Sequence, residues 1–437
     1  MGTTQANQTM VLRNADKEQL EQAVADNHRQ LFSCNAKAVG GFVNTIDGLS
    51  YSWTTANGSA VAFPELSTGN VGSHLDAMME DYRAHDATNI GYWSLQPPKP
   101  SNIGIYLLAR GFQPGWQPCW MAVERPALQT GFAMPAGLEI RADNDTNIHD
   151  VAGLPYGDNH GAFSDALFKA YPGRAQRFVA WLDGVIVGQT CLFFTTGALG
   201  IAGMYNVGVL PIFQRRGIGK AIVAAACQFA FAKGYHYVML NANHIGRRTY
   251  EQVGFRFISF GCTWWLLDRS YITRPPSPAI VLLAEATGKG NIAAMETAGK
   301  ELTTQDLDEP LANGMTLIQL AAHFKQPAAA EWLLQQGAAC TPLNAWDLGW
   351  KDRAAALLNN DPAVVNRTYY DFKGTLLHIA AERNDTELAK LALQAGVDLS
   401  IKDIHHDSTG MGWAQYFGRF AIMALIKDRQ LKAGETQ

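Results

Sequence analysis

The sequence predicts an α/β (α+β) fold, duplicated within itself, followed by an all-α array of repeats. Three observations carry this. Residues 177–242 alternate strand and helix signals around a glycine-containing loop. The segment Leu107-Leu-Ala-Arg-Gly111-Phe112, with Trp116, Cys119 and Trp120 after it, returns as Tyr250-Glu-Gln-Val-Gly254-Phe255 with Cys262, Trp264 and Trp265. Beyond Arg274-Pro275-Pro276-Ser277-Pro278 the strand signals give way to alanine- and leucine-rich helical pieces.

Both copies of the repeated segment read as a short helix, a Gly-Phe stop and then a strand. Glycine ends helices because it tolerates the left-handed conformation. The agreement through the Cys and Trp residues favours duplication over coincidence. It divides the chain into lobes at 1–135 and 136–272, a proline-rich linker at 273–279 and a repeat region at 280–437. Pro97-Pro98-Lys99-Pro100 is a break inside the first lobe. In the second lobe, Arg177 to Leu182 reads as a strand ending at Asp183-Gly184, a hairpin signal. Val185 to Thr195 returns, Thr196-Gly197 to Gly200 turns, and Ile201 to Val209 makes a third strand. A helix follows from about Gly217 to Lys233, then a strand from Tyr235 to Ala242.

At 437 residues the chain is too long for one ordinary core. A net charge of −4 gives no reason to expect nucleic acid or an anionic membrane as partner. The start, Met1-Gly-Thr-Thr-Gln-Ala-Asn-Gln, lacks a basic and apolar secretory pattern, and Ala6 argues against myristoylation at Gly2. No run of eighteen apolar residues suggests a membrane span. Cys34, Cys119, Cys191, Cys227, Cys262 and Cys340 form no C-x-x-C pair, so reduced thiols, a cytoplasmic location and no metal are expected.

The chemistry concentrates where strand Met204–Val209 runs through Leu210-Pro211 into Gln214-Arg-Arg-Gly217-Ile-Gly219 and an apolar helix. The first N–H groups of a helix lack internal partners and the helix dipole adds positive potential there, so an anion is favoured. Glycines let the backbone approach a pyrophosphate, and Arg215 and Arg216 add charge. Val207-Gly-Val209-Leu-Pro211-Ile-Phe-Gln214-Arg-Arg-Gly217-Ile-Gly219-Lys resembles motif A of the Gcn5-related N-acetyltransferase (GNAT) superfamily. Asn243-His-Ile-Gly246-Arg-Arg-Thr-Tyr250-Glu-Gln-Val-Gly254-Phe255 resembles its motif B, with Gly246 where the family usually has Ala. Together the motifs cover roughly Gly137 to Asp268.

The resemblance implies roles. Backbone from Arg215 through Arg216, Gly217, Ile218 and Gly219 to Lys220, after Gln214, would hold the pyrophosphate of acetyl-CoA. The strand at Val207 and Val209 would pair with the pantetheine arm, because a splayed strand leaves N–H and C=O groups free. Asn243 would touch the cosubstrate, and Tyr250 would protonate the leaving thiolate. The acetyl group would pass directly to an amine. Competing readings are a tight turn for Gly217 and Gly219, a packing role for Tyr250, and a solvated helix face for Arg247 and Arg248. His244 reads as a surface hydrogen-bonding group. The base stays open: Tyr205, Asn206 and Asp165 qualify only by location, and water can serve.

The first lobe has no such loop, and its counterpart of Tyr250 is Leu107. It is expected to complete the substrate cleft, with Trp93, Trp116 and Trp120 as lining or core. One intact and one degenerate lobe is similar to tandem acetyltransferases that modify amine-bearing antibiotics, and to tandem-lobed bacterial effectors.

Beyond the linker, Thr316-Leu-Ile-Gln-Leu-Ala321-Ala322 and Thr375-Leu-Leu-His378-Ile-Ala380-Ala381 resemble ankyrin repeats, each with Gly337 or Gly396 at the same offset. Thr409-Gly-Met-Gly-Trp-Ala414 is a weaker copy, and Trp346 to Asn366 reads as a helical pair without the Thr signature. Three or four repeats with irregular caps are expected, His378 being structural. The array is either a concave protein-binding face or a brace. The function expected is acetyl transfer to a primary amine of a small molecule or polar peptide. The alternatives are a protein acceptor recruited by the repeats, and a CoA-binding scaffold without catalysis.

Overall fold

The computed structural model describes residues 10–54, 58–158, 161–243, 246–267 and 269–434. The chain forms two compact units: residues up to 107 with 112–275, and residues 108–111 with 276–437. Up to residue 275 it runs through α1 (Lys17–Ala38), β1 (Phe42–Ile46), β2 (Leu49–Trp53), β3 (Ala60–Ala62), α2 (Val71–Ala84), β4 (Ile90–Leu95), α3 (Ile103–Ala109), β5 (Gln113–Pro114) and β6 (Cys119–Glu124). It continues with β7 (Leu138–Ala142), α4 (Asp165–Ala170), β8 (Ala175–Leu182), β9 (Val185–Phe194), β10 (Ala202–Val209), α5 (Ile218–Ala232), β11 (Tyr237–Ala242), α6 (Arg247–Val253), β12 (Arg256–Leu266) and α7 (Arg269–Thr273).

The strands join in the order β1-β2-β3-β4-β12-β6-β11-β10-β9-β8-β7, with β5 beside β12. Two stretches share one succession. β1, β2 and β3 form an antiparallel meander, and β4 returns parallel to β3 after α2. β8, β9 and β10 do the same, and β11 returns parallel to β10 after α5. Then α3 and α6 each end at a left-handed glycine, Gly111 at φ +84° and Gly254 at φ +103°, ahead of β6 and β12. β6 inserts between β11 and β12. β12 pairs with β6 through its first residues and with β4 through its last. The line drawn at 135/136 therefore crosses one continuous sheet.

Local chemistry explains the elements that frame the site. Asp16 caps α1, accepting from the Gln19 N–H at 2.8 Å while the Gln19 side chain answers at the Asp16 N–H. Leu20, Ala23, Val24, Leu31 and Cys34 recur at helical spacing and form its buried face. Asp183 at φ +50° and Gly184 at φ +81° give the turn that matches the twist of β8 and β9. α5 packs on β8, β9 and β10, with Ile222 and Val223 fully buried. Truncating Ile222 to Ala there costs about 2–5 kcal/mol by cavity formation.

The second unit is helical: α8 (Pro278–Lys289), α9 (Ile292–Ala298), α10 (Thr304–Asp308), α11 (Leu317–His323), α12 (Pro327–Gln335), α13 (Pro342–Asp347), α14 (Lys351–Asn360), α15 (Pro362–Val365), α16 (Leu376–Arg383), α17 (Thr386–Gln394), α18 (Gly410–Tyr416) and α19 (Phe420–Gly434). Thr316, Thr341, Thr375 and Thr409 are the N-caps of α11, α13, α16 and α18. This corrects one expectation. The pair placed at Trp346 to Asn366 begins earlier and has the threonine: Thr341 and Asn344 make a reciprocal capping box. Thr341 follows Thr316 by only 25 residues, well short of the usual period near 33, so a fixed period passes over it. His378 is structural. Its Nδ1 accepts from the Thr375 N–H at 3.1 Å, so Nε2 carries the proton and donates to the Ser408 carbonyl at 3.0 Å. Among the described residues no helix is long and apolar enough to cross a membrane.

Candidate functional site

The site begins where β10 loses a neighbour. Its ladder with β11 stops at Met204↔Leu240, while its ladder with β9 continues to Val209↔Gly188. Beyond Met204, β10 thus keeps ladder partners on one edge only, at Tyr205, Gly208 and Val209 on β9, and has none on β11. Between Tyr205 and Gly208 the register shifts, and Asn206 sits at φ +53°. This is a bulge, which re-aims side chains and bends the strand. Val207 and Val209 lie on this stretch and line a cleft of about 1140 Å³.

The loop after β10 is tied back to it by Gln214, whose Nε2 donates to the Val209 carbonyl at 3.1 Å. Arg215 at φ +63° and Gly217 at φ +85° make the left-handed steps that turn the chain into α5. The first helical bond runs from Ala221 N–H to Gly217 C=O at 3.1 Å, so the N–H groups of Ile218, Gly219 and Lys220 precede the ladder. They stand at the positive end of a 15-residue helix. The two glycines differ. A β-carbon on Gly217 would lie 2.7 Å from the Ala133 carbonyl oxygen, so the fold itself requires glycine. One on Gly219 would meet only Val209, at an ordinary 3.7 Å. The tight-turn reading covers Gly217 and leaves Gly219 unexplained by the chain's own packing. Arg215 and Lys220 line the cleft with no carboxylate partner among the described residues. The Lys220 ammonium lies 5.5 Å from the Phe132 ring. Arg216 lies over Phe213 at 5.3 Å and is not part of the lining.

Asn243 and Tyr250 enter the same cleft from the end of β11 and from α6. Asn243 Oδ1 accepts from the Gly246 N–H at 2.7 Å, which holds the turn into α6 and leaves its amide group for other partners. Tyr250 packs on Phe255 with ring centres 5.9 Å apart. Burial, with Tyr156 nearby, pushes its hydroxyl up to about 12. A β-carbon on Gly246 would stand 3.0 Å from Tyr250 Cε2, so glycine at this position gives the ring its room. Arg247 pairs with Glu251 at 2.9 Å, and neither Arg247 nor Arg248 lines the cleft. His244 lies outside the described residues.

Across the cleft stand His28 and Phe32 of α1, Trp93 of β4, Trp116 between β5 and β6, and Trp265 of β12. Trp120 is buried in the core and does not join them. Among the candidate bases, Asp165 is off the cleft, bonded to His149 at 3.0 Å and 3.5 Å from Arg177. Tyr205 and Asn206 line it. The Tyr205 hydroxyl donates to Asn27 Oδ1 at 2.7 Å and stands 2.9 Å from His28 Nδ1, and burial raises its pKa well above the usual range. Because the Tyr205 proton goes to Asn27, His28 Nδ1 is the donor to Tyr205. His28 is ringed by Phe32, Phe63, Trp93, Trp120 and Tyr205, and burial drops it to about 3. It is a neutral imidazole. Sequence reasoning missed it, since its only local signal is a place on the apolar face of α1, between Val24 and Leu31. No Asp or Glu lines the cleft among the described residues.

Residues 146–255 match the family model described as Acetyltransferase (GNAT) family, and residues 374–404 match that of the ankyrin repeat. Glucosamine 6-phosphate N-acetyltransferase of Trypanosoma brucei brucei is 32% identical over 77 residues, 17% of this chain and 52% of that protein. The chain thus spans about half the length of the curated relative it matches. Among solved structures, a GCN5-related N-acetyltransferase from Kribbella flavida is similar at 18% identity and a TM-score of 0.41, covering 54% of this chain and 94% of that one. Another from Sphaerobacter thermophilus is similar at 14% identity and a TM-score of 0.39, covering 60% of this chain and 96% of that one.

Proposed function

We propose, from a chain that carries an acetyltransferase domain of the GNAT family and an ankyrin repeat, that its first unit moves an acetyl group from acetyl-CoA to a primary amine. The observation that carries this reading is a single cleft holding the splayed edge of β10, the N-terminus of α5 and Tyr250 together. The N–H groups of Ile218, Gly219 and Lys220, with Arg215, would hold the pyrophosphate. Residues 205–209 would offer backbone groups to the pantetheine amides, and Asn243 its free amide.

The amine nitrogen attacks the thioester carbonyl, the C–S bond breaks, and the CoA sulfur leaves as thiolate near Tyr250. With its hydroxyl raised to about 12, Tyr250 stays protonated and donates a hydrogen bond, then its proton, to that thiolate. The burial that weakens Tyr250 as an acid also destabilises the thiolate, so the two remain matched. His28, at about 3, is too weak a base to take the amine's proton. The nitrogen of an acceptor that binds as its free base sheds one proton as the amide forms; with no carboxylate in the described lining, water takes that proton, and solvent returns one to Tyr250 after the thiol leaves.

Residues 1–135 would form a second lobe of the same plan that lends β6 to the sheet and walls the cleft. The repeated succession of elements supports this, and no glycine and arginine loop between β3 and α2 suggests a second acetyl-CoA. The repeat unit is read as a protein-binding surface, as ankyrin repeats generally are. Acetyl-CoA consumption with an amine panel tests the enzyme; a calorimetric titration with no acetyl-CoA binding would remove it.

A further inference from the structure

The lining of the cleft divides by chemistry. Arg215 and Lys220 are its only charged side chains among the described residues, and both belong to the loop and helix assigned to the pyrophosphate. The wall built from α1, β4 and β12 is aromatic. Trp93 is its hub, with ring centres 5.5 Å from His28, 6.3 Å from Phe32, 5.7 Å from Trp116 and 6.1 Å from Trp265. Trp116 and Trp265 meet it at 88° and 74°, so the rings enclose a corner.

This wall is built in. Trp93 and Trp265 come from adjacent strands in fixed register, Thr263↔Trp93 and Trp265↔Gly91. A β-carbon on Gly91 would stand 2.7 Å from the Trp265 ring, and one on Gly115 only 2.3 Å from its Nε1. Two glycines thus clear the seat of one tryptophan.

We infer that the acceptor is a primary amine on an aromatic body, without phosphate or carboxylate, seated against Trp93, Trp116 and Trp265. This rests on the transferase reading and narrows it. A flat apolar body gains burial and ring contacts in such a corner. A sugar phosphate would bring two negative charges to a wall with no cation left among the described residues to pair them, and unpaired buried charge is costly. An ammonium would likewise find no carboxylate among the described lining residues, so the amine is held as the neutral base, its nucleophilic form.

The test uses the full chain with acetyl-CoA and three acceptors: tryptamine, 2-phenylethylamine and glucosamine 6-phosphate. The two arylalkylamines are expected to exceed the sugar phosphate in kcat/KM by about tenfold or more, the size of a lost ring contact plus an unpaired charge. Trp116 is 40% exposed, so its replacement should leave the fold intact. Trp116→Ala should lower kcat/KM for tryptamine about tenfold, mainly through KM, and Trp116→Phe should restore most of it. Acetyl-CoA affinity should be the same in all three proteins. A preference for glucosamine 6-phosphate overturns the inference, as does an unchanged preference in Trp116→Ala. So does acetyl-CoA binding without acetylation of either arylalkylamine. Failure of acetyl-CoA to bind the wild-type protein defeats the transferase reading itself.

Discussion

The backbone of Gly217 lies against the carbonyl oxygen of Ala133, so closely that a β-carbon at 217 would stand 2.7 Å away. Gly219 has no such neighbour. The two substitutions should therefore separate. Gly217→Ala combines that contact with a φ of +85° and should lose about 1–3 kcal/mol of stability. Gly219→Ala lies inside α5 at an ordinary backbone angle, so its melting temperature should hold or rise slightly. Its methyl group, however, intrudes where the pyrophosphate would pass, and acetyl-CoA affinity should fall about tenfold or more. Thermal unfolding and calorimetry measure both. Wild-type affinity in Gly219→Ala would show that no ligand approaches that backbone.

Tyr250 gives the second prediction. Removing the hydroxyl as Tyr250→Phe should lower kcat by about a hundredfold or more, while acetyl-CoA affinity changes little. The pH profile follows from the sign of the shift. The active form is protonated, and a hydroxyl raised to about 12 stays protonated throughout the range where an ordinary tyrosine near 10 would lose its proton. No alkaline fall in kcat attributable to Tyr250 is expected below about pH 11. A Tyr250-dependent decline near pH 9 would contradict both the burial and the role.

How far the sequence foretold this depends on the range of the contacts involved. The hairpin at Asp183-Gly184 and the turn at Gly217 are set by residues within a few positions, and the strands and helix read from 177 to 242 appear close to where they were expected. The insertion of β6 between β11 and β12 joins residues more than a hundred positions apart, and no local pattern encodes it. The aromatic wall is hidden for the same reason. Trp93 and Trp265 are separated by most of the first unit, and only the β4–β12 register brings them together. His28 is concealed by its neighbours: a buried neutral imidazole on α1 follows the same pattern as the apolar residues around it.

That burial makes His28 a source of acid sensitivity. Its folded value is about 3, against about 6.5 for an unperturbed histidine. As pH falls below 6.5 the unfolded chain takes up a proton that the folded one refuses, so stability drops with falling pH. The contribution of this one group should be about 1 kcal/mol between pH 7 and 5.5. His28→Phe keeps an aromatic ring in the cage and leaves Tyr205 its bond to Asn27. Denaturant midpoints of the variant should fall less over that interval than those of wild type. Equal pH dependence in the two proteins would mean that His28 is not buried in its neutral form.

The last prediction concerns the repeat that a fixed period conceals. Thr341 accepts from the Asn344 N–H at 3.2 Å, and Asn344 Oδ1 accepts from the Thr341 N–H at 3.0 Å and its hydroxyl at 2.7 Å. Asn344 is itself buried, so removing the threonine hydroxyl strips a partner from a group shielded from water. Thr341→Ala should therefore cost about 1–2 kcal/mol, comparable to Thr375→Ala in the repeat with the fuller motif. Thr341→Ser keeps the hydroxyl and should recover most of the loss. If Thr341→Ala melts as wild type while Thr375→Ala does not, then α13 and α14 are a spacer between repeats, and the array has one repeat fewer than the threonine caps of α11, α13, α16 and α18 suggest.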